Sequence, residues 1–430
     1  MNIVLAIIIF SLIILFHELG HFLLAKANNI RVNEFTLGLG PTLVGFTKGE
    51  TKYCIKLFPF GGSCVMDEDV EAEASDERAF NNKSVWARLS VVAAGPVFNF
   101  IMAFVLALII ILLMGYDEPR INFVYEDSAA EAAGLKENDL VLKLNGSKVY
   151  LSRDISFIQS VYPSEPMELL VVREENGETV KKTIRVEPKK QDFYQIGMYI
   201  TENTTKINSF AEDSVAEASG LQSGDEILFV NGSAVETDQE IIDAIRGSEG
   251  QQLKLRVSRN GEELEFDITP AYVTSYSHGF ISDNSASRVK GNVLRAVQYS
   301  IYEVRYWIKT TILSLKMLLT GQVSLNSVSG PVGIVSVIGE TYNESKDDGA
   351  LYVFVNMLNL AILLSANLGV MNLLPIPALD GGRILFFLLE IITRRRLPQK
   401  IEGMINMIGF ALLMILMVVV LSHDIYKLFL

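Results

Sequence analysis

The sequence predicts a polytopic α-helical membrane protein with four transmembrane helices and an acidic block outside the membrane that repeats one small domain. Three observations carry this. Half of the 430 residues are apolar, and mean hydropathy is +0.30, with four long apolar runs. The net charge of −13 is confined to one block: residues 116–290 hold 31 acids and 18 bases, and the rest holds 19 of each. That block also contains two copies of one 22-residue pattern.

The first span is read at Ile3–Ala25. Its 23 residues rise about 34 Å, enough to cross a ~30 Å hydrocarbon core. No basic leader or small-residue cleavage site marks it as a signal peptide. The second span is Leu89–Met114, the third Leu351–Ile376 and the fourth Ile401–Leu421. The third carries Asn356, Asn359, Asn367 and Asn372, amides that need other helices or a wet cavity as neighbours.

Four crossings place both termini on one side. The two short connections hold the bases, from Lys26 to Arg88 and from Arg383 to Lys400, so they are expected in the cytoplasm. The acidic block is then extracytoplasmic, and the chain a multi-pass protein of the inner (cytoplasmic) membrane. Nothing resembles a basic nucleic-acid footprint, so no nucleic-acid partner is expected. Cys54 and Cys64 fall on the cytoplasmic side, where thiols stay reduced, and are read as thiols in a half-buried sheet.

The repeat starts at Ser128 and Ser214. The copies align without gaps at an offset of 86, with 12 of 22 positions identical. Each predicts a short helix ending at Gly134 or Gly220, a polar turn, a strand and an Asn-Gly turn at 145–146 or 231–232. The pattern resembles bacterial PDZ domains, more fully in the second copy, where Gly224-Asp225 stands against Asn138-Asp139. The resemblance implies that chain ends bind by strand addition. It makes Gln195-Ile196-Gly197-Met198 the carboxylate-binding loop of the second copy, with Gly197 at its centre. No equivalent precedes the first copy. Two inert spacers are the alternative.

The chemistry lies inside the first span, in His17-Glu18-Leu19-Gly20-His21. Imidazoles four residues apart share one helical face and can hold one Zn²⁺, with Glu18 beside them as general base. Each charged group at a span centre costs about 2.5–3.5 kcal/mol on insertion scales, so an unrelieved cluster is hard to accommodate. A catalytic zinc takes a third protein ligand at the same depth. Asp380 emerges from the inward-running third span near the cytoplasmic face, close to the level of His21, and is the expected third ligand. Pro375 and Pro377 break the helix before it, freeing backbone that can pair with an extended substrate. Asn372 could donate to that strand or to the scissile carbonyl; a helix-packing amide is the alternative.

His17-Glu18-x-x-His21, joined with Asn372-x-x-Pro375-x-Pro377-x-Leu379-Asp380-Gly381, resembles the site-2 protease family of intramembrane zinc metalloproteases. Gly38–Pro41, Pro59–Gly62, Phe80–Ser84, Ala94–Asn99 and Ser329–Gly333 match it too. With two PDZ copies, the similarity is to the branch of bacterial regulator of sigma-E proteases. The resemblance implies His17, His21 and Asp380 on zinc, Glu18 as acid/base, and a membrane-reentrant β-hairpin. It implies cleavage within the transmembrane segment of single-span proteins already trimmed outside, such as anti-sigma factors or leftover signal peptides.

The implied fold is four transmembrane helices, a membrane-associated β-hairpin and two extracytoplasmic PDZ (α+β) domains. Residues 1–26 are the first helix, 27–88 the hairpin segment and 89–115 the second helix. Residues 116–192 and 193–273 are the PDZ copies. Residues 290–330 form amphipathic surface helices on the lipid bilayer, 350–382 the third helix and ligand loop, and 400–422 the fourth helix. The hairpin, read around Lys52–Met66 with a turn at Gly61-Gly62, would pair with the unwound substrate. The run 67–77 reads as a solvated acidic loop. A peptide-sensing receptor with a structural metal and a transporter with broken spans are the rival readings; neither needs Glu18.

Overall fold

The first helix forms because Asn2–Ala27 is apolar and free of proline, and Lys26 in its last turn complements the helix dipole. The second, Val85–Met114, starts at Ser84, whose side chain accepts from the Ala87 amide, and stops at Gly115, φ +88°. Ala350–Leu373 and Gln399–Phe429 complete the set. Among the described residues, four helices are long and apolar enough to cross a membrane. This computed structural model describes residues 2–66, 76–201, 203–211, 214–282, 288–323 and 328–429.

The chain divides into two units, Met1–Asp117 with Arg288–Leu430, and Glu118–Ser287. In the first, the first three spans meet through small side chains: Ala6, Ala103, Ala107, Ala361 and Ala366 are all buried. Lipid tails are as apolar as leucine, so close backbone approach, not area removed from water, holds such helices together. A Cβ on Gly20 would stand 2.9 Å from Phe98 Cγ, and one on Gly369 2.7 Å from Phe100. The fourth span leaves Met407, Ile408, Phe410, Leu412 and Ile415 exposed.

Of two further helices, the first lies within the expected surface segment 290–330 and the second lies beyond it. Val293–Leu319, capped by Asn292, packs along the second and third spans, and Thr311 donates to Asn367 across that contact at 2.5 Å. Pro331–Ser345 follows it. Its first turn donates three amides, from Gly330, Val332 and Gly333, to the carboxylate of Asp424 on the fourth-span helix at 2.9–3.0 Å. Those orphan donors and the helix dipole suit an anion. The Ser329–Gly333 motif thus seats a side chain from 91 to 94 residues downstream.

The hairpin is larger than expected. Val32–Lys48 and Thr51–Met66 form it, and the chain reverses at Gly49-Glu50. Leu37 pairs with both Ile55 and Gly62, so the second strand crosses from one flank of the first to the other between them. Gly61, φ +94°, lies in that crossing and is not the hairpin's tip. Glu50 at the tip accepts from Lys26 and Arg78, at 2.7 and 2.6 Å, and Arg78 foremost holds its carboxyl down at about 2. Of the acidic run 67–77, residues 67–75 lie outside the described residues.

In the second unit the two copies repeat down to single hydrogen bonds. Strand order is the same in both four-stranded sheets. Ser128 and Ser214 cap their helices from Glu131 and Glu217. Arg173 grips Asp139, and Arg259 grips Asp225, each guanidinium also donating to the helix-ending glycine carbonyl at 2.9 Å. The first copy extends beyond the expected 116–192. Phe280–Ile281, from beyond the second copy, pairs with Phe123–Val124, and Phe280 enters the first copy's core.

Candidate metal centre

Asp380 is brought to the first span by a compact reversal. The third span ends at Leu373, ahead of Pro375, and a new helix begins at Asp380 and runs to Thr393. Between them Ala378 takes φ +74°, and its amide donates to Asn406 of the fourth-span helix. Gly381 and Gly382 permit the closeness: a Cβ on Gly381 would stand 2.5 Å from the Leu373 carbonyl carbon. The new helix is anchored by Glu390, which accepts from buried Arg88 at 2.7 Å, with that guanidinium over Phe387. The stretch 377–400, expected as a short connection between spans, thus contains a helix of its own.

His17, His21 and Asp380 converge. His17 Nε2 and His21 Nε2 lie 3.3 and 3.5 Å from Asp380 Oδ2, and 3.3 Å from each other. Ligands about 2.0–2.1 Å from a tetrahedral zinc stand about 3.3 Å apart. Asp380 Oδ2 is buried without a hydrogen-bond partner, as an oxygen reserved for a cation would be. Among the described residues, these three form the group able to hold a metal ion.

The second span shapes the pocket. Gly95 faces both rings; a Cβ there would stand 2.6 Å from His21 Cε1 and 2.7 Å from His17 Cε1. His21 Nδ1 donates to the Val91 carbonyl at 2.9 Å, which leaves Nε2 bare and aimed at the centre. The sequence flagged Ala94–Asn99 as a motif without revealing these roles.

Glu18 stands beside His21, His17 and Asp380. The hairpin passes over it: a Cβ on Gly62 would meet Glu18 Cγ at 3.0 Å and the Thr36 carbonyl at 3.1 Å. Residues 62–66 pair with 32–37, and no ladder is described on their other side. Asn372 Nδ2 lies 3.5 Å from His17 Nε2 and borders the centre. Gly61 lies in the hairpin crossing and Pro375 and Pro377 in the reversal ahead of Asp380, whereas Gly197 belongs to the other unit. Burial pushes the Cys64 thiol up to about 12, with Glu18 adding to the effect.

A family profile described as peptidase family M50 matches residues 5–416. This chain belongs to peptidase family M50. Zinc metalloprotease RasP of Geobacillus kaustophilus is 31% identical to this M50 chain over 445 residues, covering 99% of it and 97% of that protein. Protease RseP of Yersinia pestis is 30% identical over 457 residues, with 98% of each covered. Among solved structures, the HtrA3 PDZ domain bound to a phage-derived ligand matches 20% of this chain and 93% of that domain, at 24% identity and TM-score 0.18.

Proposed function

We propose that this M50 chain is a zinc endopeptidase that cuts within the transmembrane segment of single-span membrane proteins already trimmed outside. The observation that carries the reading is the buried triangle of His17, His21 and Asp380 with Glu18 beside it. Its spacing suits Zn²⁺, and relatives that align end to end are named zinc metalloproteases.

Bound there, zinc would polarise a carbonyl and ease deprotonation of water. The chain's own groups do the rest. Glu18 takes the proton from water and hands it to the leaving amine. Asn372 donates to the carbonyl oxygen as charge builds on it. A helical substrate hides its peptide bonds, so it must unwind, at the cost of hydrogen bonds broken in lipid. The edge of residues 62–66 beside Glu18, unpaired among the described residues, offsets this by strand addition, with Gly61 and Gly62 letting backbone approach backbone. Pro375 and Pro377 have no amide to donate and interrupt the helix ahead of Asp380.

The positive-inside distribution supports a cytoplasmic-side centre and an extracytoplasmic acidic unit. There the PDZ pair acts as a size filter that excludes untrimmed substrates. The second copy carries a cavity of about 150 Å³ of mixed character, lined by Ile196, Met198, Ile242 and Ile245 with Gln195 and Arg246, suited to a chain end with one apolar side chain. The first copy has its own loop, His278-Gly279-Phe280, supplied from beyond the second. Ala130 donates to the His278 carbonyl as Ala216 does to Ile196. There Ser156 and Ser282 bond to each other at 3.1 Å, in place of Ile242 and Ile200.

The test is Glu18→Gln in a cleavage assay with a trimmed single-span reporter. The variant should keep zinc and lose at least about 100-fold in rate, the low end for a general base. Cleavage at the wild-type rate would refute the role of Glu18.

A further inference from the structure

Asn99 is wholly buried in the second span, three residues beyond Pro96. Its Nδ2 is placed 3.2 Å from His17 Nδ1, and its Oδ1 has no hydrogen-bond partner. Amide oxygen and nitrogen are told apart by the hydrogen-bond network they join. If Asn99 donated to Nδ1, the ring proton of neutral His17 would sit on Nε2. Nε2 is the atom 3.3 Å from Asp380 and from His21, and with a proton there it could not ligate. Exchanging amide oxygen and nitrogen removes the conflict. Oδ1 then accepts from Nδ1–H, the unpartnered position passes from Oδ1 to Nδ2, and the Nε2 lone pair faces the centre.

His21 supplies an internal parallel, since its Nδ1–H already donates to the Val91 carbonyl of the same span. The Asn99 backbone is fixed in turn by Ser365 of the third span, which donates to its carbonyl at 2.8 Å. Both imidazoles would thus be set by acceptors eight residues apart on one helix. We propose that Asn99 is a positioning residue that accepts the His17 Nδ1 proton through Oδ1 and so holds His17 as the Nε2-ligating tautomer. This rests on the zinc site proposed above.

The experiment measures zinc affinity of the full chain in detergent, with Zn²⁺ competed against a chromophoric chelator. Asn99→Leu removes the acceptor at similar volume and should weaken zinc about 10–100-fold, the usual cost of losing a partner of a ligating histidine. Asn99→Asp can accept but not donate and should bind zinc near the wild-type level. A donor role for Asn99 reverses that second result, so zinc binding by Asn99→Asp as weak as a lost partner would give overturns the proposal. Wild-type affinity in Asn99→Leu overturns it as well. Should Asn99→Leu not fold, the comparison of Asn99→Asp with wild type decides alone. Failure of the underlying site has a different signature: the wild-type chain itself would not bind zinc, or His17→Ala would bind it unchanged.

Discussion

A single methyl group placed at Gly95 should empty the metal centre. In Gly95→Ala the new carbon would stand 2.6 Å from His21 Cε1 and 2.7 Å from His17 Cε1. Carbon atoms prefer about 3.5–4.0 Å, so the rings must retreat by about 1 Å. The helices cannot simply part, because Gly20 already packs against Ala94 and Phe98. Metal sites tolerate deviations of about 0.2 Å in ligand distance, so a shift five times larger should cost at least about 100-fold in zinc affinity. At 1.4 kcal/mol per tenfold, that is about 2.8 kcal/mol. Zinc per chain, measured by mass spectrometry after dialysis in detergent, is the assay. Gly403→Ala is the control, since a Cβ there meets nothing within 4 Å. Full zinc occupancy in Gly95→Ala would refute the packing argument.

Other predictions follow from the same contacts. Asp139→Asn should destabilise the acidic unit by about 1.5–3 kcal/mol, because Arg173, only 9% exposed, loses its two-pronged carboxylate partner and keeps only Glu175 at 3.4 Å as an anion; hydrogen exchange over 118–287 measures it, and a loss below about 1 kcal/mol contradicts it. Burial alone would raise the Asp225 carboxyl, but Arg259 and the Gln222 amide outweigh it and hold it below its ordinary value. Its folded value is therefore under the unfolded ~3.9, so its stabilisation is complete above that and lost as pH falls through the folded value. Acid exchange profiles should flatten in Asp225→Asn; an unchanged profile would remove the linkage. Asp424→Asn weakens charge-assisted bonds to three amides and should cost about 1.5–3 kcal/mol, read as a lower thermal midpoint in detergent.

Much of this was legible because membrane spans and metal motifs are local signals. The i, i+4 spacing of His17 and His21 fixes a shared face in any helix, and apolar run length marks a span. The meeting with Asp380 was reachable through topology, since the third span returns to the level of the first. What stayed hidden depends on distant partners. Asn99 looks like any amide in a span until His17 is placed beside it. Gly95 shows its purpose only when two rings occupy the space a Cβ would take. The first copy's loop was missed because Gly279 lies 151 positions after Ser128, and no periodicity reports such a return. The hairpin's full extent was also obscured, because the pairing of Leu37 with two partners is not encoded in alternation.

The central claim is the identity of the atoms that hold the metal. Zinc-edge X-ray absorption on the detergent-purified chain tests it most directly. The account predicts one zinc per chain with imidazole nitrogen and carboxylate oxygen neighbours at about 2.0–2.2 Å and no sulfur. Sulfur at about 2.3 Å, which would bring in Cys54 or Cys64, or the absence of any zinc signal, would contradict it.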